Sequence, residues 1–166
     1  MIIPRQDTRI LVQGITGKQG TFWTTNMQKY GTAVVGGVNP KRAGTMHLGV
    51  PVYGSAKEAG DCEFDASILF IPPLSVKDAV LDAIEASARM VVVLTEHVPV
   101  QDVMYFVAAA REAGTQVVGP NTAGCVTVGE TFLGFMPASN TRIFRPRAVG
   151  VLSTSGSLGT LMCQNI

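Results

Sequence analysis

Three glycines at a fixed spacing carry the first chemical suggestion in this chain. In "RILVQGITGKQGTFW", residues 9–23, Gly14, Gly17 and Gly20 form a G-x-x-G-x-x-G turn between an apolar run and a helical opening. The first backbone N–H groups of a helix lack intrahelical partners, and the helix dipole favours negative charge there. Glycine lets a phosphate come against the backbone with no side chain in the way. Within this turn Thr16 adds a hydroxyl, Lys18 a positive charge and Gln19 an amide. The competing reading is a tight strand–helix connection that needs glycine only for packing.

A second group of residues narrows the ligand. In a site built for NAD, the second strand ends in Asp or Glu, which accepts from the ribose hydroxyls. Here that end reads "VGGVNPKRAG", with Asn39 in place of the acid and Lys41 and Arg42 following. Two cations in that position suit a phosphorylated ribose, either NADP or coenzyme A with its 3′-phosphate. A solvated surface turn is the other reading of Lys41 and Arg42.

These residues need a scaffold that brings strand ends together. The runs 9–15, 32–38, 65–72, 90–96 and 115–120 are rich in Val and Ile, are apolar at consecutive positions, and end in Gly, Pro or polar residues. Strands buried on both faces look like this. Between them, Val76, Val80, Ala83 and Ile84, then Val103, Phe106, Val107 and Ala110, recur at helical spacing, the latter ending at Gly114. Residues 50–53 read as a short strand and 55–60 as a short helix. The alternation predicts an α/β fold with a Rossmann-like, doubly wound parallel sheet over residues 1–121. Residues 122–147 read as a loop-rich linker. Residues 148–166 read as a strand (148–152), a small-residue turn and the start of a helix, the opening of a second α/β domain.

Composition excludes several classes. The chain has 166 residues, 46% hydrophobic and 15% charged, with a formal net charge of +1. That size supports a packed core. The charge offers no broad attraction for nucleic acid or membrane. No apolar run approaches the roughly 18 residues that a membrane helix needs, and the start, "MIIPRQDTRI", lacks the apolar region of a secretory signal. Cys62, Cys125 and Cys163 are far apart and form no C-x-x-C pair, as expected of free thiols in a reducing, cytoplasmic setting.

The stretches "QGITGKQGTFW…YGTAVVGGVNPKRAGTMHLGVPVY", "ILFIPPLSVKDAVLDAIEA", "VVLTEHVP", "EAGTQVVGPNTAGCVTVGE" and "VGVLSTSGSLGT" together resemble the α subunit of succinyl-CoA synthetase (succinate–CoA ligase), in its N-terminal CoA-binding domain. The resemblance runs through essentially the whole chain in unbroken order. It implies coenzyme A as ligand, with Thr16, Gly17, Lys18 and Gln19 meeting its phosphates and Arg42 at the family's CoA-binding lysine. Pro72 would line the nucleotide pocket, and Leu94, Thr95 and Glu96 would flank the cofactor. Ser155 and Gly156, in "STSGSLG", would stabilise a phosphohistidine that lies beyond residue 166. The family's partner is a β subunit with an ATP-grasp nucleotide site, and its substrate is a small carboxylic acid.

The departures cluster on the acyl side. Thr154 replaces the family's Arg, Thr160 stands at its Tyr, and "PNTAG" replaces P-N-C-P-G. Neither His47 nor His97 occupies the phosphohistidine position. Coenzyme A is therefore implied more firmly than succinate. The expected function is the CoA-binding portion of an acid–CoA ligase, inactive by itself. The alternatives are a stand-alone CoA-binding regulatory module and an NADP-dependent oxidoreductase domain.

Overall fold

A computed structural model of the chain describes residues 3–165. The elements run β1 (Arg9–Gln13), α1 (Lys18–Tyr30), β2 (Ala33–Val38), β3 (Met46–His47), β4 (Val50–Tyr53), β5 (Ala66–Leu69), α2 (Val76–Glu85), β6 (Met90–Val93), α3 (Val100–Ala113), β7 (Gln116–Val118), β8 (Gly124–Thr127), β9 (Thr131–Gly134) and α4 (Gly156–Asn165). The main sheet has the order β3-β4-β2-β1-β5-β6-β7. Its pairs are parallel except for the short β3, which lies antiparallel to β4. β1 is central, and the chain moves to one side for β2 and to the other for β5.

Side-chain alternation explains the continuous apolar runs. Ile10, Val12, Ile68, Met90 and Val92 point into one core, together with Met27 of α1 and Phe132 and Leu133 of β9. Leu11, Leu69, Val91 and Val93 point into the other, with Val80 and Ala83 of α2 and Phe106 of α3. Successive strand residues face opposite sides, so a strand covered on both faces has no polar alternation to show. α2 and α3 share one face and are joined at the surface by Lys77 Nζ and Asp102 Oδ1 at 3.3 Å. α1 covers the other face, ending at Gly31 in the left-handed conformation (φ 112°). α3 ends in the same way at Gly114, as its sequence predicts.

Three expectations need correction. The short helix expected over 55–60 is a 3₁₀ helix shifted to Glu58–Cys62; the Glu58 carboxylate accepts from Gly54 N–H at 2.8 Å and ties the preceding residues into a tight loop. The loop-rich segment contains the antiparallel hairpin β8–β9. That hairpin packs beside α1, where the ring of Tyr30 meets Phe132 edge-on, and Thr32 Oγ1 donates to Phe132 O at 2.9 Å. It covers the part of the face that α1 leaves open. Residues 148–152 form no strand, since a strand needs a paired neighbour and none pairs with them among the described residues. The three cysteines are free and half-buried, and burial pushes the Cys125 thiol up to about 11.

Candidate functional site

The turn after β1 sits where the chain changes direction in the sheet, the place at which open α/β sheets hold ligands. Gly14 N–H bonds Val38 O at 2.9 Å and Phe70 N–H bonds Gln13 O at 2.9 Å, so the ends of β2, β1 and β5 are tied together. Gly14 has φ 79°, and a Cβ there would fall 2.4 Å from Phe70 O. A Cβ on Gly20 would fall 2.1 Å from Gly14 O. These two glycines let the helix rest directly on the turn. Gly17 differs: it is exposed and caps α1 with no side-chain hydrogen bond. The start of α1 thus presents backbone donors beside a position that carries no side chain.

The second turn lies against the first. Asn39 Nδ2 donates to Thr16 Oγ1, while Asn39 Oδ1 accepts from Lys41 N–H at 3.0 Å and caps the 3₁₀ turn Pro40–Arg42. Arg42 N–H bonds Asn39 O at 2.9 Å. Lys18, Lys41 and Arg42 are exposed, and among the described residues none is paired with a carboxylate. Gln19 is partly engaged, its Oε1 accepting from Trp23 Nε1 at 3.1 Å.

The ends of β5 and β6 complete the rim. Pro72 is exposed and opens the turn Pro73–Ser75. Thr95 Oγ1 donates to Ile71 O at 2.8 Å, so this hydroxyl proton links the two strand ends. Leu94 is buried with the apolar core, whereas Glu96 is exposed. Residues 16–19, 42, 72 and 94–96 thus follow the carboxyl ends of β1, β2, β5 and β6, three adjacent pairs in one sheet. Ser155 and Gly156 stand apart. Ser155 Oγ caps α4 by accepting from Leu158 N–H at 3.3 Å, and no hydrogen bond among the described residues joins this helix end to the other segments.

Two braces were not legible beforehand. Thr21 Oγ1 donates to Ile15 O at 3.0 Å and lies 2.9 Å from His47 Nε2. Having spent its proton on the carbonyl, Thr21 accepts, and His47 is the donor at Nε2. Gln28 Nε2 donates to Leu48 O at 3.0 Å. Both hold the corner before β4 to α1, and partners 20 and 26 residues apart leave no local pattern in a sequence. Among the described residues no group of three or more His, Cys, Asp or Glu side chains is placed to hold a metal ion.

The family model for the CoA binding domain matches residues 5–97, a span that includes all four strand-end segments. The chain belongs to the CoA-binding domain family. This CoA-binding domain is 43% identical over 166 residues to the succinate–CoA ligase (ADP-forming) subunit alpha 2 of Archaeoglobus fulgidus, covering 99% of the chain and 57% of that relative. It is 43% identical over 163 residues to the malate–CoA ligase subunit alpha of Methylorubrum extorquens, covering 95% and 54%. Its fold matches the ATP citrate lyase of Methanothrix soehngenii, solved with citrate and coenzyme A, with a TM-score of 0.84 at 23% identity over 98% of the chain and 29% of that protein. The chain spans about half the length of the curated relatives it matches.

Proposed function

We propose that this chain is the coenzyme A-holding part of an α-type subunit of an acid–CoA ligase. The observation that carries the reading is the joining of the two turns. A side-chain-free helix start and three unpaired cations are tied together through Thr16 and Asn39. A nucleotide with a pyrophosphate and a phosphorylated ribose matches both halves: the pyrophosphate at the start of α1 and the ribose phosphate toward Arg42, whose guanidinium can hold it in two parallel bonds. Pro72 and Glu96, with the backbone at Leu94 and Thr95, supply the remaining wall. The lack of an acid at Asn39 disfavours an unphosphorylated ribose.

In the complete ligase, the thiol of coenzyme A attacks an acyl phosphate formed by phosphoryl relay through a histidine, and a covalent intermediate divides one difficult step into easier ones. Residues 1–121 would bind and orient the thiol carrier. The hairpin β8–β9 completes that unit, and the remainder of 122–147 would link it to a second domain opening at 148–166, whose helix start at Ser155 and Gly156 would receive the phosphohistidine. The β partner would supply the nucleotide through an ATP-grasp site. The acid is a small carboxylate: relatives named for succinate and for malate share the same identity to this chain. The differences at Thr154 and Thr160 fall on that side of the reaction. The cytoplasm is the proposed setting; among the described residues no helix is long and apolar enough to cross a membrane.

Calorimetric titration with coenzyme A, dephospho-coenzyme A and NADP tests the reading. Coenzyme A should bind, and loss of the 3′-phosphate should weaken binding about tenfold, the value of one charge-assisted contact. Binding of NADP without coenzyme A would overturn the assignment.

A further inference from the structure

The side-chain amide of Asn39 takes part in two hydrogen bonds whose directions are fixed by chemistry. Lys41 N–H can only donate, so the atom it meets at 3.0 Å must be the amide oxygen. The amide nitrogen therefore faces Thr16 and donates to its hydroxyl oxygen. Thr16 Oγ1, having accepted, keeps its own proton, and no acceptor for that proton exists among the described residues. Thr16 lies half-buried immediately before Gly17, at the uncapped start of α1.

We infer that Asn39 is a positioning residue which holds the Thr16 hydroxyl as a donor toward an anionic oxygen at the start of α1. By the same bonds it clamps the turn bearing Lys41 and Arg42 to the turn bearing Lys18. This deepens the proposed function and rests on coenzyme A as the ligand. It also makes position 39 a discriminator. A carboxylate there would still accept from Lys41 N–H, because Asp caps as well as Asn. It could not donate to Thr16, however; it would draw the Thr16 proton to itself and place a negative charge beside the phosphates.

The experiment compares N39D, T16V, T16S and the double variant N39D/T16V by thermal melting and by titration with coenzyme A. N39D should melt within about 2 °C of the wild type, since the cap survives, yet bind at least about tenfold more weakly. T16V should weaken binding by a similar factor, and T16S, which keeps the hydroxyl, should restore it. In the double variant the combined loss should be smaller than the product of the two, because the shared donor can be lost only once, while the repulsion from the carboxylate at position 39 remains. Wild-type binding together with unchanged binding by N39D or T16V overturns the inference and leaves the CoA reading standing. So do losses that multiply in the double variant. Absence of coenzyme A binding by the wild type overturns both. T16V settles the matter even if N39D fails to fold.

Discussion

Gly20→Ala separates two opposed physical effects at the same residue. Alanine is the better helix former by about 1 kcal/mol, and helix propensity alone predicts that the variant is more stable. The structure predicts the reverse. The new methyl would lie 2.1 Å from Gly14 O, 2.9 Å from Gly14 C and 3.1 Å from Ile15 Cα, all backbone atoms. Ordinary contact for a Cβ begins at about 3.4 Å, so a gap of more than 1 Å must open. The turn cannot retreat, because Gly14 N–H is bonded to Val38 O at 2.9 Å and Gly14 already abuts Phe70 O. The start of α1 must therefore lift. A clash this close with fixed backbone belongs at the upper end of the overpacking range, about 2–3 kcal/mol; less the gain in propensity, a net loss of about 1–2 kcal/mol remains. Thermal melting should show a fall of about 2–8 °C, and titration should show coenzyme A binding weakened more than about tenfold, as the donors leave their place. Gly17→Ala is the paired measurement. Its methyl would meet only Gly14 O, at 3.2 Å, a contact that a shift of a few tenths of an ångström relieves, with an ordinary φ of −71°. Stability should stay within about 0.5 kcal/mol while affinity falls, since the methyl stands where the phosphate would sit. A Gly20→Ala protein that melts at or above the wild type would refute the packing argument, and a Gly17→Ala protein of undiminished affinity would refute the placement of the phosphate.

Two further substitutions probe the supporting structure. Thr32 Oγ1 donates to Phe132 O at 2.9 Å and lies 3.1 Å from Thr131 Oγ1 and 3.2 Å from Phe132 N, all buried. Thr32→Val strands these groups and should cost about 2–3 kcal/mol in chemical unfolding. Thr24 presents the opposite case, fully buried in α1 with no partner for its hydroxyl. Thr24→Val removes that unmet group at nearly constant shape and should raise stability by about 1 kcal/mol in the same assay.

Most of the main sheet was legible because burial on both faces leaves unbroken runs of Val and Ile, and the two cores account for every second residue of β1, β5 and β6. The hairpin β8–β9 escaped for the converse reason. Its strands have only four residues each and carry Gly124 and Gly134, which read as loop punctuation. In space these glycines face each other: a Cβ on Gly124 would fall 1.8 Å from Leu133 O, and one on Gly134 would fall 2.0 Å from Ala123 O. They mark close backbone approach rather than a turn. Within the candidate site, residue types and strand ends were enough to find the two turns, since ligand donors follow strand termini in this architecture. The bond from Asn39 to Thr16 spans 23 residues and belongs to tertiary structure alone. Leu94 illustrates the limit of motif reading, for its side chain belongs to the apolar core although its neighbours line the rim.

The hairpin also ties together regions far apart along the chain. Thr127 Oγ1 donates to Pro4 O at 2.5 Å, Arg5 Nε lies 3.1 Å from Glu130 Oε2, and Tyr30 Oη accepts from Gly129 N–H at 2.9 Å. During synthesis, Pro4 and Arg5 must therefore wait for more than a hundred further residues before these contacts close. A protein expressed only to residue 121 would lack Phe132 and Leu133, leave Met27 and Tyr30 wetted, and be prone to precipitate. The same core continues to the buried Ala138, so the folded unit reaches beyond the hairpin.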